Sequence, residues 1–288
     1  MTVCIAALAT EDTDEGKKRY IVTVSDTKLT TGIYSQEFGA WKIKRLSKHW
    51  SAMIAGKFSQ HRPIIEAFRS EIGDDEGQRL SVSQVHDIAA KVYVSEAKRM
   101  AEETILGKFG LTVDAFLKSR KNIGDSLFER TWGEISRIEV GCDLLVFGFD
   151  DEGPHIFVVS NPTPDNTSFI TDHDSPSFAA IGTGSYLAES TMFAFNHTII
   201  NSLSQSIYHT TVAKFVSESA SDVGERTVLF IVKEGGDFIK VPWNLESKLR
   251  ERWKTKGRPM VPEDALESIN KALNESKTLD SNTDKTQE

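Results

Sequence analysis

Only two cysteines, Cys4 and Cys142, occur in the 288 residues of this chain, and both sit inside apolar runs. So few thiols exclude a disulfide framework and argue against a zinc centre; packed thiols of a reducing compartment fit better. Long apolar runs are also missing: nothing approaches the ~18 residues of a membrane helix, and no basic stretch followed by a long apolar one opens the chain. Neither membrane helix nor signal peptide is expected, and the cytoplasm is the expected location. Positive charge is scarce as well, with 34 Lys and Arg against 42 Asp and Glu, a net charge of -8 and a pI near 5.5. Nucleic-acid and anionic-membrane partners need concentrated Lys and Arg, which here occur only in scattered pairs. No repeat of fixed period is present, and neither a metal nor a cofactor is expected.

The apolar fraction of 39% can fill a substantial core, in one large domain or two small ones. In chain order, Val3 to Ala9 and Tyr20 to Val24 are predicted strands, with the charged segment Thr10 to Arg19 as a solvated loop between them. Further strands are predicted at Trp41 to Leu46 and Trp50 to Gly56. Helical spacing follows over Pro63 to Ile72, then from a Ser81/Gln84 cap to about Leu106. Residues 108–138 are less regular, with short helical turns at Val113 to Leu117 and Leu127 to Trp132, and read as an insertion. Strands return at Asp143 to Phe149 and His155 to Val159, joined by the turn Asp150 to Pro154, and again at Phe178 to Ile181. Two helices, Tyr186 to His197 and Leu203 to Val216, precede a last hairpin, Thr227 to Val232 with Phe238 to Val241. From Pro242 onward polar helices (Leu245 to Trp253, Pro262 to Leu273) and a polar tail expected to be disordered form an extension. Without regular β-α-β alternation, two antiparallel sheets covered by helices are more consistent than a parallel sheet.

The first residues carry a candidate for chemistry. A small residue at position 2 permits removal of Met1, which would leave Thr2 with a free α-amine beside its hydroxyl. That is a nucleophile with its own base, since an α-amine titrates near pH 8. A Met-Thr start is also common in chains without such chemistry. Asp26 and Lys42 can be read as an ordinary ion pair, and Gly56 as the end of a strand.

Taken with Thr2, the string Ser25-Asp26-Thr27-Lys28-Leu29-Thr30, Lys42 and Gly56 resemble the motifs of proteasome β subunits and their bacterial relatives, which are N-terminal nucleophile (Ntn) hydrolases. Sixteen positions separate Asp26 from Lys42 and fourteen separate Lys42 from Gly56, as in that family. The strand ending in Asp151-Glu152-Gly153-Pro154 and the turn Gly182-Thr183-Gly184-Ser185 are similar to later family motifs. The resemblance spans residues 2–241. It implies an α+β, four-layer αββα sandwich and hydrolysis of peptide bonds by a threonine peptidase. Thr2 would be the nucleophile, and Lys42 a positive charge lowering the pKa of the Thr2 amine. Asp26 would keep Lys42 charged, and Gly56 would donate its N–H to the oxyanion.

It further implies Thr183 in the serine position of the turn, Asp222 near the amine, and Thr30 binding an extended substrate by its backbone. Leu29, Ile54, Phe58 and Ala40 could line an apolar specificity pocket or simply pack the core. Implied partners are a peptide or protein substrate and further copies of the chain in a ring or spiral, with an ATPase unfoldase as a candidate. Val92, Phe193 and Phe195 are apolar helical positions that suit such self-association. Departures include Lys28 where the family has arginine, and Ser221-Asp222-Val223-Gly224-Glu225 in place of Asp-x-x-Ser-Gly. These, with the long first loop and the insertion, point to a divergent bacterial proteasome-like protein. Two other functions stay open: a catalytically silent structural subunit, and a small-molecule amidase on the same fold.

Overall fold

The computed structural model describes residues 2–14, 16–31, 34–37, 41–73, 79–163 and 167–257, and only the backbone of Thr30, Thr31, Tyr34, Ser35 and Phe58. It divides into two compact units, residues 1–247 and 248–288. The first holds twelve strands among its described residues. β1 (Cys4–Thr13) and β2 (Gly16–Asp26) form one long hairpin. The expected solvated loop between them is therefore corrected: Thr10 faces Arg19, Glu11 faces Lys18 and Asp12 faces Lys17 in a continuous ladder. Opposite charges across a ladder stabilise it by a few tenths of a kcal/mol per pair, so pairing continues past the point where the apolar residues stop.

A small hairpin, β3 (Lys28–Thr31) with β4 (Tyr34–Glu37), follows. Next come β5 (Ile43–Arg45), β6 (Trp50–Gly56), helix α1 (Phe58–Ile72) and helix α2 (Val82–Ala101). α1 begins five residues before Pro63, the residue the sequence suggested as its start. Pro63 lies one turn in, where its missing N–H removes a single helical bond. The predicted Ser81 cap is present: Ser81 Oγ accepts from Gln84 N at 3.3 Å and Ser81 N donates to Gln84 Oε1 at 2.9 Å. The helical path continues through a π turn to Leu106. Within the insertion, α3 (Val113–Lys118) and α4 (Asp125–Ile135) enclose a small core of Leu106, Phe116 and Phe128.

β7 (Cys142–Phe149), β8 (Pro154–Val159), β9 (Ile170–Asp172) and β10 (Phe178–Ile181) precede α5 (Ser185–Ala194) and α6 (Leu203–Ser217). β11 (Thr227–Lys233), β12 (Phe238–Lys240) and α7 (Trp243–Arg252) complete the order, the division between units falling within α7. One antiparallel sheet has the order β10-β1-β2-β11-β12, the other β5-β6-β7-β8-β9. Their facing sides share a core that includes Cys4, Ala6 and Leu8 from one sheet and Met53, Leu145 and Phe147 from the other. On the far side of the second sheet, Trp50, Ile54 and Val146 pack against Phe68 of α1 and Tyr93 of α2. On the far side of the first, Val3, Ile5 and Ala7 pack against Ala188 of α5 and Ala213 of α6. A strand covered on both faces needs a continuous apolar run, which is why the stretch from Val3 to Ala9 does not alternate.

The fold is thus mixed α+β, with two large antiparallel sheets and, among the described residues, seven α-helices. Its order of layers is compatible with an αββα sandwich. Both cysteines are free and buried. Val92, expected to be available for self-association, is instead 3% exposed in the core beneath α2, whereas Phe193 is 63% exposed. No described helix is long and apolar enough to cross a membrane. Within 248–257 of the second unit, α7 ends and a π turn (Trp253–Gly257) follows. The predicted helix Pro262 to Leu273 and the polar tail lie outside the described residues.

Candidate active site

Pairing of β1 with β2 brings two of the expected residues together. Cys4 faces Ser25, and Asp26 N donates to Val3 O at 3.3 Å, so the end of β2 lies beside the residue that precedes β1. Thr2 is 5% exposed, Asp26 is fully buried, and Lys42 is 7% exposed. A single oxygen, Asp26 Oδ1, accepts from the Thr2 hydroxyl, from Val3 N at 3.0 Å and from Lys42 Nζ at 2.6 Å. The other oxygen accepts from Lys28 N at 3.1 Å and Gly224 N at 3.2 Å. Five donors on one buried carboxylate satisfy its acceptor capacity, and an ammonium in direct contact offsets its charge.

The turn after β10 closes on Thr2 from another side. Gly184 N donates to Thr2 O at 3.3 Å, and Ser217 Oγ donates to Gly184 O at 3.0 Å. Gly182 has φ +92°, and a Cβ there would stand 2.4 Å from Thr2 O. Glycine is required at that position both by backbone conformation and by the proximity of Thr2. Thr183 lies between the two glycines with its side chain exposed.

Three residues to which the sequence assigned no role complete the support. Gly224, whose N–H reaches Asp26, is held by Lys214 of α6, a fully buried lysine. Lys214 Nζ donates to Gly224 O at 2.8 Å, to Glu225 O at 2.7 Å and to Glu218. Glu37 secures the same loop, accepting from Glu225 N at 2.9 Å and from the Thr27 hydroxyl at 2.8 Å. A lysine among the apolar and small residues of a helix was the available signal for Lys214, but it reads equally well as a solvated side chain. Asp222, expected near the Thr2 amine, adopts φ +68° and pairs with Lys28 Nζ at 3.6 Å.

Gly56 ends β6 with φ +111°, and a Cβ there would lie 2.5 Å from Gly141 O and 2.6 Å from Cys142 Cα. This glycine therefore has a packing reason of its own. His61 of α1 hydrogen-bonds the Gly56 backbone, and burial pulls its pKa down to about 4, so it is neutral at pH 7. Close to Thr2, burial pushes the Cys4 thiol up to about 12, against the opposing pull of Lys42. Cys4 is thus protonated and does not compete as a nucleophile.

The proposed specificity residues divide. Ile54 is 2% exposed and packs among α1, α2 and the second sheet; alternation along β6 turns it to that core, the second of the two readings open for it. Leu29 is half-buried opposite Gln36 on β3. The backbone of Thr30 lies opposite that of Ser35. Ala40 and the side chains of Thr30 and Phe58 lie outside the described residues. No protein-family model matches this chain, and no curated protein matches it.

Proposed function

We propose that this chain is a threonine-type Ntn hydrolase of the proteasome-like kind, cleaving peptide (amide) bonds through Thr2 once Met1 has been removed. The convergence of the Thr2 hydroxyl and the Lys42 ammonium on Asp26 Oδ1 carries this reading. Removal of Met1 gives Thr2 an α-amine, which takes the hydroxyl proton, directly or through a water, as Oγ1 attacks the substrate carbonyl. The amine returns that proton to the leaving nitrogen, and water then hydrolyses the ester on Thr2. Lys42, paired with Asp26, places its ammonium beside the amine and stabilises negative charge as it develops on Oγ1. The backbone N–H of Gly56 receives the oxyanion. The layered α+β architecture agrees with the αββα sandwich of that class.

In the same reading, copies of the chain assemble into a ring or spiral that takes unfolded protein, with an ATPase unfoldase as a candidate partner. Exposed Tyr186 (78%), Phe193 (63%) and Ile200 (84%) support self-association. Light scattering that finds only a 32.1 kDa monomer at every concentration would contradict it.

The test of the chemistry is the rate of covalent reaction with a peptide epoxyketone. Asp26→Asn and Lys42→Ala should lose it by at least about 10²-fold, the scale of a lost electrostatic contribution in a hydrolase site. Lys42→Arg should be folded and unreactive, because a guanidinium keeps the charge but not the compact geometry. Thermal melting must confirm that each variant is folded. A folded Lys42→Ala protein reacting as fast as the parent would remove Lys42 from the chemistry.

A further inference from the structure

β12 pairs with β11 only over Phe230 to Val232, with Val241 N donating to Leu229 O just beyond. Next to that junction is a cavity of about 370 Å³, lined among others by Thr27, Trp41, Arg226, Lys240, Val241 and Trp243. Its size falls within the usual range of small-molecule sites, roughly 300–1,000 Å³. Although the chain carries a net charge of -8, the described residues of the lining include two cations and no carboxylate. Two indoles stand at the same place, Trp41 at 48% and Trp243 at 65% exposure.

The Trp41 ring is fixed edge-on to Phe230, with centroids 5.3 Å apart, and carries Lys240 Nζ 5.0 Å from its centroid. Arg226 is exposed and brings a planar fork of donors suited to a carboxylate. Exposed indoles favour a flat apolar body, each able to bury of order 150–250 Å² when covered. We propose that this cavity binds a small aromatic carboxylate, the ring against Trp41 and Trp243 and the carboxylate on Arg226 and Lys240. Thr2, Asp26 and Lys42 are not among its lining residues, although Thr27 and Trp41 adjoin Asp26 and Lys42 in sequence, and the proposal does not depend on the hydrolase reading.

The test is a titration of the full chain with 2-naphthoate, followed by NMR of the five indole N–H signals. The Trp41 and Trp243 signals should shift saturably while that of Trp50, buried in the core, stays in place. 2-Naphthamide, cyclohexanecarboxylate and inorganic phosphate should each bind at least about tenfold more weakly, because each lacks either the charge or the ring. The double variant R226Q/K240Q should weaken 2-naphthoate by a similar factor with an unchanged melting temperature, since both side chains are exposed. Thr2→Ala should bind 2-naphthoate like the parent. The proposal is overturned if the two indoles do not shift, if the amide or phosphate binds as tightly as the acid, or if R226Q/K240Q binds unchanged. Loss of binding in Thr2→Ala would refute the independence of the two sites.

Discussion

His155 gives the fold a pH dependence whose size follows from its contacts. Its Nδ1 lies 2.6 Å from Asp174 Oδ2 and its Nε2 lies 2.8 Å from Asp150 Oδ1, so only the doubly protonated ring can donate to both. Burial alone would lower the pKa, but the hydrogen bonds and charges of Asp174 and Asp150 outweigh it and raise it from 6.5 to about 9. The clamp also ties elements together: Asp150 Oδ2 accepts Val82 N at the start of α2 at 3.0 Å, and Asp174 Oδ1 accepts Ile156 N at 2.7 Å. Because the folded-state value is raised, the stabilisation is fully present below pH 6.5 and is lost as pH climbs to about 9. At about 1.4 kcal/mol per unit, the shift corresponds to about 3 kcal/mol. Urea unfolding of the parent and of His155→Gln at a series of pH values isolates this effect, since other groups cancel in the difference. The advantage of the parent should shrink by about 3 kcal/mol between pH 6 and pH 9.5, most steeply above pH 7. A difference that stays constant across that range would refute a charged His155.

Gly182→Ala, which puts a methyl group into Thr2 O at a positive φ, should lose about 1–3 kcal/mol in urea unfolding and slow the epoxyketone reaction. Unchanged values would show that the turn does not press on Thr2. Lys214→Met should cost about 3–5 kcal/mol, because Glu218 and the Gly224 and Glu225 carbonyls lose a buried charged donor; calorimetry reads the loss, and an unshifted melting temperature would contradict it. Cys4, its thiol pushed up to about 12, and the buried Cys142 should resist a thiol reagent at pH 8 until the protein is unfolded. Rapid labelling of the native protein would contradict their burial.

Elements with strong local signals were legible in the sequence. The capping box at Ser81 and Gln84, the apolar run of β1 and the turn at Asp150 to Pro154 each follow from nearby residues, and each appears as expected. The pairing of Asp26 with Lys42 followed from the family resemblance, whose spacing of sixteen positions this chain shares, and the two side chains do meet. The outer half of the first hairpin was not legible: its charges satisfy one another across the ladder, a relation visible only once the register is known. β9 and the β3–β4 hairpin are too short for periodicity to register. Gly224 and Lys214 were missed because their roles depend on a contact with Asp26 some two hundred residues away in sequence. Ile54 was open to a pocket or a core reading, because the face a strand residue takes depends on which layer covers it, and it packs the core.

The central claim is that Thr2 becomes an N-terminal nucleophile, and the mass of the intact purified protein after reaction with a peptide epoxyketone tests it most directly. That reagent needs both the amine and the hydroxyl of one residue. The expected product is a chain lacking Met1 that carries one adduct, mapped by peptide sequencing to Thr2 and absent from Thr2→Ala. A folded chain that keeps Met1, or an adduct placed on any other residue, would contradict it.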